Sequence, residues 1–575
     1  MQREENGVPQ GSVLAVTLFL IGINDVFRHL PKGIYILIYA DDIVLLASGQ
    51  NARRTKTKLQ TAMRKVTEWA DKVGFSMAAE KSVTTHICKH LHHPWRQKIT
   101  VGGTTVPFRK TAKIIGVTFD RKLSFKPHFA KVKAEAQSRG RLIKTISSRH
   151  NNGNRQSLLQ VGNSVITSKL LYGTEITARV FNDMVAALGP TYNKMIRNCS
   201  GLLPSTPALS SCIEAGVLPF DAMVASSTIR KTVSFLEKTD GNYDPTSAVT
   251  EQIYEAFSSI ACPPIARLHT VWDRRWNHKG PIIDWDIKKS LKAGDPPQKA
   301  TAVFNEILNR KYNNYEVIYT DGSKCDTTVG IGITGNNQGI FYKLPGICSI
   351  FSAEAAAMHT ALARHTTNTK KSIVLFTDSA SVLAALEKGS LKHPWIQAIE
   401  NICDERTTLC WIPGHCGING NHEADRLAAL GRRSTLLTNE VPGTDIKQDI
   451  ERRIRTEVES KWRIERNLFL RKIKGNLTRW DDRASRKEQQ IFSRLRTGHT
   501  MLTHKGLFQG GNRTDCRTCN VALTVEHLLT RCPEYKELRE RYQIGDSIRD
   551  ALSNDPVKEE KLICFLKDAQ LYNQI

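Results

Sequence analysis

Four acids, Asp321, Glu354, Asp378 and Asp425, are scattered along the chain at places from which they could meet. Asp321 follows EVIYT and Asp378 follows SIVLFT, so each is expected to end a hydrophobic strand. If those strands are neighbours, both carboxylates reach one sheet edge. Glu354 falls on an alanine-rich helix expected over about 352–365, and a stripe of Ala357, Met358 and Ala361 leans it over that edge. Asp425 is expected in the first turn of a last helix starting near Asn421, where the helix dipole favours negative charge. Four converging carboxylates repel and raise one another's pKa unless cations compensate. An all-oxygen ligand set suits magnesium or manganese rather than zinc. Two such ions about 3.5–4 Å apart suit phosphodiester hydrolysis, one activating water and the other stabilising the departing 3′ oxygen. Taken singly, each acid has a plainer reading: Asp321-Gly322 as a turn, Asp425 as a helix start, Glu354 as a solvated helix acid.

Three further constellations could carry chemistry. His415 follows Pro-Gly. It reads either as a loop residue or as a group titrating near neutrality that protonates a departing oxygen or perturbs a metal during release. Cys516-x2-Cys519-x7-His527-x4-Cys532 offers three thiolates and one imidazole, a tetrahedral zinc set. Zinc would tie a segment with few apolar residues, mainly Leu523, Val525, Leu528 and Leu529. The alternative is free core cysteines around an ordinary helix histidine. Finally, Asp41-Asp42 interrupts two apolar runs over 34–47. This is a hairpin whose turn presents both carboxylates, and such a pair needs solvent or a cation nearby.

These groups need elements to hold them. Leu59, Met63, Val66 and Ala70 recur at helical spacing, with Lys56, Lys58, Arg64 and Lys65 between them. A second helix, about 129–146, places Phe129, Val132, Ala136, Leu142 and Ile143 inside and a basic face outside. Residues 151–300 are mostly helical by pattern, and AGDPPQ at 293–298 reads as a linker. From Tyr315 strands alternate with helices, which predicts one mixed sheet with helices against it. After 435 the chain is helical again, with Trp462 and Trp480 bracketing a basic run.

Composition bounds the partners. The chain has 575 residues, enough for three or four domains, and 40% hydrophobic with 24% charged residues is that of a folded protein rather than a disordered or fibrous one. Lysine and arginine number 82 against 56 acids, a net charge of +26, which points to a polyanionic partner. The surplus is concentrated: residues 1–150 carry 26 basic and 10 acidic side chains, whereas 311–434 carry 12 and 11. The basic helices read either as a nonspecific, salt-sensitive duplex contact or as a solvated face. Thirteen cysteines are too sparse for a disulfide scaffold, and the apolar run near Val13–Ile23 is too short to span a bilayer. The expectation is an intracellular, reducing setting without a membrane, nucleus and cytoplasm both open.

TDGS (Thr320–Ser323), SAEAAA (Ser352–Ala357), FTDSASVLAAL (Phe376–Leu386) and WIPGHCGINGNHEAD (Trp411–Asp425) resemble the ribonuclease H domain of jockey-like non-LTR retrotransposon polyproteins. The resemblance implies a five-stranded mixed sheet with flanking helices. It also implies that Asp321, Glu354, Asp378 and Asp425 are metal-binding acids, with His415 the loop histidine assisting turnover. His422 stands where the family most often has glutamate. GVPQGSVLAVTLF (Gly7–Phe19) and YADDIVLLA (Tyr39–Ala47) resemble the palm of the reverse transcriptase from the same elements. That match implies Asp41 and Asp42 as metal-site acids, Gly7, Gln10 and Gly11 as supports of primer-template and nucleotide, and Lys81 near the transferred phosphates. The family's first palm aspartate lies upstream of these words, and Ala15-Val16 replaces its usual Ser-Pro. Similar tails follow the ribonuclease H domain, from RLRTGHTMLTH (Arg494–His504) to the cysteine cluster, with Arg494, Arg496 and His499 as candidate nucleic-acid contacts and His499 and His504 equally readable as packing residues.

The expected organisation is therefore a partial α/β polymerase palm (1–125), a helical thumb or connector (126–300), a ribonuclease H-like domain (313–434) and a helical tail (435–575) with the Cys/His motif at 516–532. The expected function is hydrolysis of the RNA strand of an RNA–DNA hybrid with two magnesium or manganese ions, leaving a 3′ hydroxyl and a 5′ phosphate. RNA-directed DNA polymerase activity, not expected of this chain alone because the first palm aspartate strand is missing, and a nucleic-acid-binding relic are the alternatives. Expected partners are RNA–DNA hybrid, RNA and DNA.

Overall fold

The computed structural model describes residues 11–88, 98–147, 153–238, 253, 263–268, 280–292, 294–335, 338–365, 371–389, 392–481, 485–508 and 514–575. They fall into two compact units. The first comprises residues up to Thr145 with 161–173 and 182–192; the second holds the rest, through Ile575.

In the first unit the expected hairpin forms from β1 (Ile34–Tyr39) and β2 (Asp42–Ala47), paired antiparallel with Tyr39 opposite Asp42. Alternation sends Ile36, Ile38, Ile43 and Leu45 onto a core with Ile23, Val26, Val66, Trp69 and Ala70. Tyr35, Leu37, Tyr39 and Leu46 face outward and are exposed. Helix α1 (Ala52–Val73) is capped by Asn51, whose side chain accepts from the amides of Arg53 and Arg54, and stops at Gly74 in the left-handed region. Its buried face is Ala62, Val66, Trp69 and Ala70; of the predicted stripe Val66 and Ala70 are fully buried, and Leu59 and Met63 are half-buried. Helix α2 (Lys126–Ile146) buries Phe129, Val132, Ala136 and Ile143 as expected, together with His128. Leu142, expected inside, is exposed, because one residue before Ile143 lies about 100° round the helix from it.

The second unit is built on six strands: β3 (Ile282–Asp284), β4 (Glu316–Cys325), β5 (Thr328–Gly335), β6 (Gln338–Leu344), β7 (Ile373–Thr377) and β8 (Thr407–Trp411). Their order is β6-β5-β4-β7-β8-β3. The β4–β5–β6 meander is antiparallel, and β7, β8 and β3 run parallel to β4. The sheet is mixed as predicted but has six strands, not five. The sixth comes from the stretch read as helical connector, because the alternating signal in PIIDW is too short to register. Helix α3 (Pro297–Lys311) follows it and packs Phe304 and Ile307 on Val374, Phe376 and Cys410. The predicted linker is thus the short approach to α3 within this packed layer; Ala293 lies outside the described residues.

Helices α4 (Ile350–His365), α5 (Ala380–Glu387) and α6 (Pro394–Ile402) cover the opposite face through Met358, Leu362, Leu383 and Ile396. Helix α7 (Asn419–Gly431) lies so close to β5 that a Cβ on Gly332 would sit 2.1 Å from the Ala424 carbonyl oxygen. Helix α8 (Gly443–Ile464) reaches back to the sheet layer, where Asp445 Oδ2 accepts from the amide of Ser349 at 3.0 Å.

The tail and the upstream helices share their polar interior. Helix α9 (Arg486–Thr497) begins with a capping box between Ser485 and Glu488. Glu214, on the helix Ala208–Ala215, accepts from Arg155 Nη1 at 3.2 Å, Ser493 Oγ at 3.1 Å and Trp480 Nε1 at 2.8 Å, all buried or half-buried. Trp462 is fully buried and donates to the Lys474 carbonyl at 2.8 Å. Among the described residues no single helix is long and apolar enough to cross a membrane.

Candidate active site and metal centres

Strand register brings the first two acids together. Phe376 pairs with Tyr319 across the parallel β7–β4 ladder, so two residues further on Asp378 stands beside Asp321. Asp378 follows the last residue of β7 as predicted. Asp321, in contrast, lies inside β4, which runs on to Cys325 because Gly322 and Ser323 keep pairing with β5. Gly322 also permits the third acid to approach: a Cβ there would be 2.8 Å from the amide nitrogen of Glu354. Carboxylate oxygens of Asp321, Glu354 and Asp378 all lie within 4.8 Å of one another.

Burial and mutual repulsion raise the pKa of all three carboxyls. Asp321 is pushed up to about 7, first by burial and then by the charges of Asp378 and Asp425. Glu354 is raised well above the carboxylate range by burial, then by Asp321 and Asp378. Asp378 is raised by burial, against which the His415 charge and a hydrogen bond from Asn421 act. Glu354 Oε2 is buried with no hydrogen-bond partner. An orphaned buried carboxylate oxygen among two other acids is what a hard divalent cation requires, so these residues fit magnesium or manganese.

Asp425 stands at the margin of this group. It lies in the second turn of α7, not the first, because the helix starts at Asn419, two residues earlier than predicted. It is half-exposed and outside the three-acid cluster, but close enough for its charge to act on Asp321, Glu354 and Asp378. His415 is 85% exposed on the preceding loop, has a backbone φ of 54°, and places Nδ1 4.0 Å from Asp425 Oδ2. A shallow cleft between them is lined by His415, Cys416, Ile418, Asn421, His422 and Asp425.

Two residues of this site went unread. Trp411, the last residue of β8, donates from Nε1 to the backbone carbonyl of Asp378 at 3.1 Å. Asn421 is buried, bonds to the Asp378 carboxylate and keeps Oδ1 without a partner. Position was the available signal for both: Trp411 ends the strand beside that of Asp378, and Asn421 is one helical turn before Asp425.

The cysteine cluster converges as well. Sγ of Cys516, Cys519 and Cys532 and a ring nitrogen of His527 lie within 4.8 Å of one another, with Cys516–Cys532 and Cys519–Cys532 sulfurs 3.9 Å apart. The chain reverses between Cys516 and Val521, and a π-helical turn over His527–Arg531 closes with the Cys532 amide on the His527 carbonyl at 2.8 Å. That i→i+5 bond is why a four-residue spacer brings the imidazole and the last thiol together. His527 Nε2 is buried and unpartnered, which fits a metal ligand. Among the described residues no cysteine is disulfide-bonded.

The hairpin acids behave differently. Asp41 occupies the turn and Asp42 opens β2; both are exposed, and neither belongs to a convergent ligand group among the described residues. Lys81 is exposed, Gly11 is exposed with φ 88°, and Gly7 and Gln10 lie outside the described residues. The tail residues read as nucleic-acid contacts bond within the chain. Arg494 donates to the Gly201 and Ile575 carbonyls, each at 2.8 Å. Arg496 is buried, 2.7 Å from Glu559 and 4.0 Å over the Trp480 ring. His499 Nδ1 lies 3.2 Å from Ser205 Oγ. Sequence cannot distinguish an arginine that grips a backbone carbonyl from one that grips a phosphate.

Residues 2–119 match the reverse transcriptase (RNA-dependent DNA polymerase) family, and residues 313–433 the RNase H family. The RNA-directed DNA polymerase from mobile element jockey of Drosophila melanogaster is 22% identical over 201 residues, 34% of this chain and 22% of that protein. The Pol polyprotein of the type-1 retrotransposable element R1 of Nasonia vitripennis is 27% identical over 124 residues, 21% of this chain and 37% of that protein. The chain is a homologue of the non-LTR retrotransposon polymerases. It carries a reverse transcriptase and a ribonuclease H domain, and its match spans about a fifth of the jockey polymerase's length. Human Ribonuclease H1 is 30% identical over 175 residues, 26% of this chain and 58% of that protein. The three-acid cluster lies within the RNase H match, and the hairpin acids within the reverse transcriptase match.

Proposed function

We propose that this retrotransposon homologue hydrolyses the RNA strand of RNA–DNA hybrids. The observation that carries the reading is the convergence of Asp321, Glu354 and Asp378 with a buried, unpartnered oxygen on Glu354. Asp321, Glu354, Asp378 and Asp425 would hold two magnesium or manganese ions, which supply an activated water and charge neutralisation at the phosphate. The chain's own groups divide the remaining work. Asn421 and Trp411 fix Asp378 through its carboxylate and its carbonyl. Gly322 lets Glu354 lean over the β4 edge, and the sheet fixes the separation of Asp321 and Asp378. His415, exposed and next to Asp425, is placed to hold a proton for the departing 3′ oxygen. Hybrid shape and 2′-hydroxyls, rather than bases, would select the substrate.

An end-labelled hybrid incubated with magnesium tests this. Wild type should release fragments with 3′ hydroxyls and Asp378→Asn should lose at least about a hundredfold in rate, the scale of one electrostatic catalytic group. Unchanged cutting by Asp378→Asn would remove the assignment, and no cutting by wild type would favour the binding relic.

RNA-directed DNA synthesis is the second reading, supported by the match over 2–119 and the Asp41–Asp42 hairpin. The ribonuclease reading is the stronger, because Asp41 and Asp42 gather no third acid among the described residues. The Cys516, Cys519, His527 and Cys532 set is read as a structural zinc site, four protein ligands leaving no open position for catalysis.

A further inference from the structure

The catalytic edge continues past the acids. Strands β4, β7, β8 and β3 are parallel neighbours, with Thr377 opposite Trp411 and Cys410 opposite Asp284. Extended by one or two residues, this register carries the row of Asp321 and Asp378 on to Ile412 and Asp286, and Trp411 and Trp285 stand side by side one residue earlier at the same end of the sheet. Trp411 is tied to the Asp378 carbonyl, and Trp285 donates from Nε1 to Glu387 at 3.3 Å. Lys288 Nζ lies over both indoles, 4.7 Å from the Trp285 ring and 5.6 Å from the Trp411 ring. Lys288, Lys289 and Ser290 are exposed, and Lys292 follows two residues later.

From this continuity we infer that Trp285 and Lys288 form an accessory contact for the RNA–DNA hybrid, extending the active edge by two strands; the inference rests on the ribonuclease reading. A duplex laid across the carboxylates along the edge meets a cation held by two indole faces. The ammonium supplies a phosphate contact, and the half-buried Trp285 ring a rigid apolar surface against the sugar. Charge favours the occupant: residues 311–434 are almost neutral, and Lys288, which reaches the Trp411 ring, comes from the sequence before them. Arranged so, attraction for the backbone sits beside the acids and not among them, where it would compete with the metal ions. Asp284 and Asp286 do not cancel it, since Lys311 pairs with both and Lys289 lies 3.9 Å from Asp286, two cations against two acids, and Tyr312 also bonds to Asp284.

The full chain has other basic surfaces, so position-specific crosslinking is the decisive measurement. A hybrid carrying 4-thiouridine or 4-thiothymidine along one strand is bound in calcium, irradiated, and the labelled peptides are mapped. Label is expected on the peptide holding 285–292 as well as on that holding 411–425. Label on the second without the first overturns the accessory contact and leaves the ribonuclease reading standing. Label on both, with no cutting by wild type in magnesium, overturns the ribonuclease reading alone; label on neither overturns both. Lys288→Glu provides the quantitative arm, because an exposed lysine can be replaced without disturbing the core. Hybrid affinity should fall about three- to fivefold, and the slope of log affinity against log salt should drop by about 1. Wild-type affinity and slope in this variant would overturn the contact.

Discussion

Ser352 Oγ and His393 Nε2 are 2.9 Å apart in the seam between α4 and α6, two residues before Glu354 on the same helix. Burial depresses the imidazole to about 4, with nearby Asp445 opposing. A histidine pKa lowered on folding means the unfolded chain binds the proton more tightly, so stability falls as pH drops from about 6.5 through about 4 and is constant below. The loss is on the order of 3 kcal/mol. Because Asp321 and Glu354 act in the opposite sense over the same window, the effect is read as a difference: between pH 7 and pH 4, urea unfolding should show wild type losing stability relative to His393→Gln.

Divalent cations should stabilise the protein in a pH-dependent way. Asp321 and Glu354 have raised pKa values, so their contribution to folding is favourable at low pH and is lost as pH rises above the ordinary carboxylate range, for Asp321 through about 7. Magnesium or manganese should restore it by replacing the protons. Melting curves should show a larger metal-induced rise at pH 8 than at pH 5.5. Asp321→Asn should melt higher than wild type without metal at pH 8 and gain little when metal is added.

Chelation should destabilise the tail. Val525 and Leu529, between the zinc-set residues, belong to the core that also holds Phe492, Leu495 and Phe565. Purified protein should contain one equivalent of zinc, and Cys519→Ser should lose it. Both the variant and chelator-treated wild type should melt at lower temperature. Equal melting with and without chelator would refute the assignment.

Gly332→Ala should cost about 1–3 kcal/mol, because the added methyl meets backbone atoms of α7 rather than a side chain that can turn away. The helix must move, carrying Asp425 and Asn421 with it. Hybrid cleavage should therefore fall by more than the unfolded fraction explains, as a comparison of rate with circular dichroism would reveal.

Glu214→Ala should cost about 3–5 kcal/mol by leaving Arg155 charged and buried. The double replacement Arg155→Met with Glu214→Leu should recover much of the loss, measured by denaturant midpoint.

Much of this site was legible in sequence because its positions follow from short-range rules. Strands ending near aspartates, and a helix with an alanine stripe, place Asp321, Glu354 and Asp378 without tertiary knowledge. What escaped depends on partners distant in the chain. The alternation in Ile282–Asp284 is three residues long and gains meaning only beside β8. Arg494 and Arg496 look like a nucleic-acid face until the Gly201 and Ile575 carbonyls and Glu559 close around them. Leu142 failed for a smaller reason: a one-residue phase error at the end of a helix turns a side chain into solvent.

The sixth strand bears on how the ribonuclease H domain can be isolated. The family match starts at 313, but β8 is hydrogen-bonded along its outer edge by residues from 282, and α3 shields Val374 and Phe376. A recombinant piece cut at the family boundary would bare an unpaired strand and a greasy face, the conditions for clumping on expression. Begun before Ile282, the same piece keeps its own covering, and the smallest soluble unit is set by packing, not by homology.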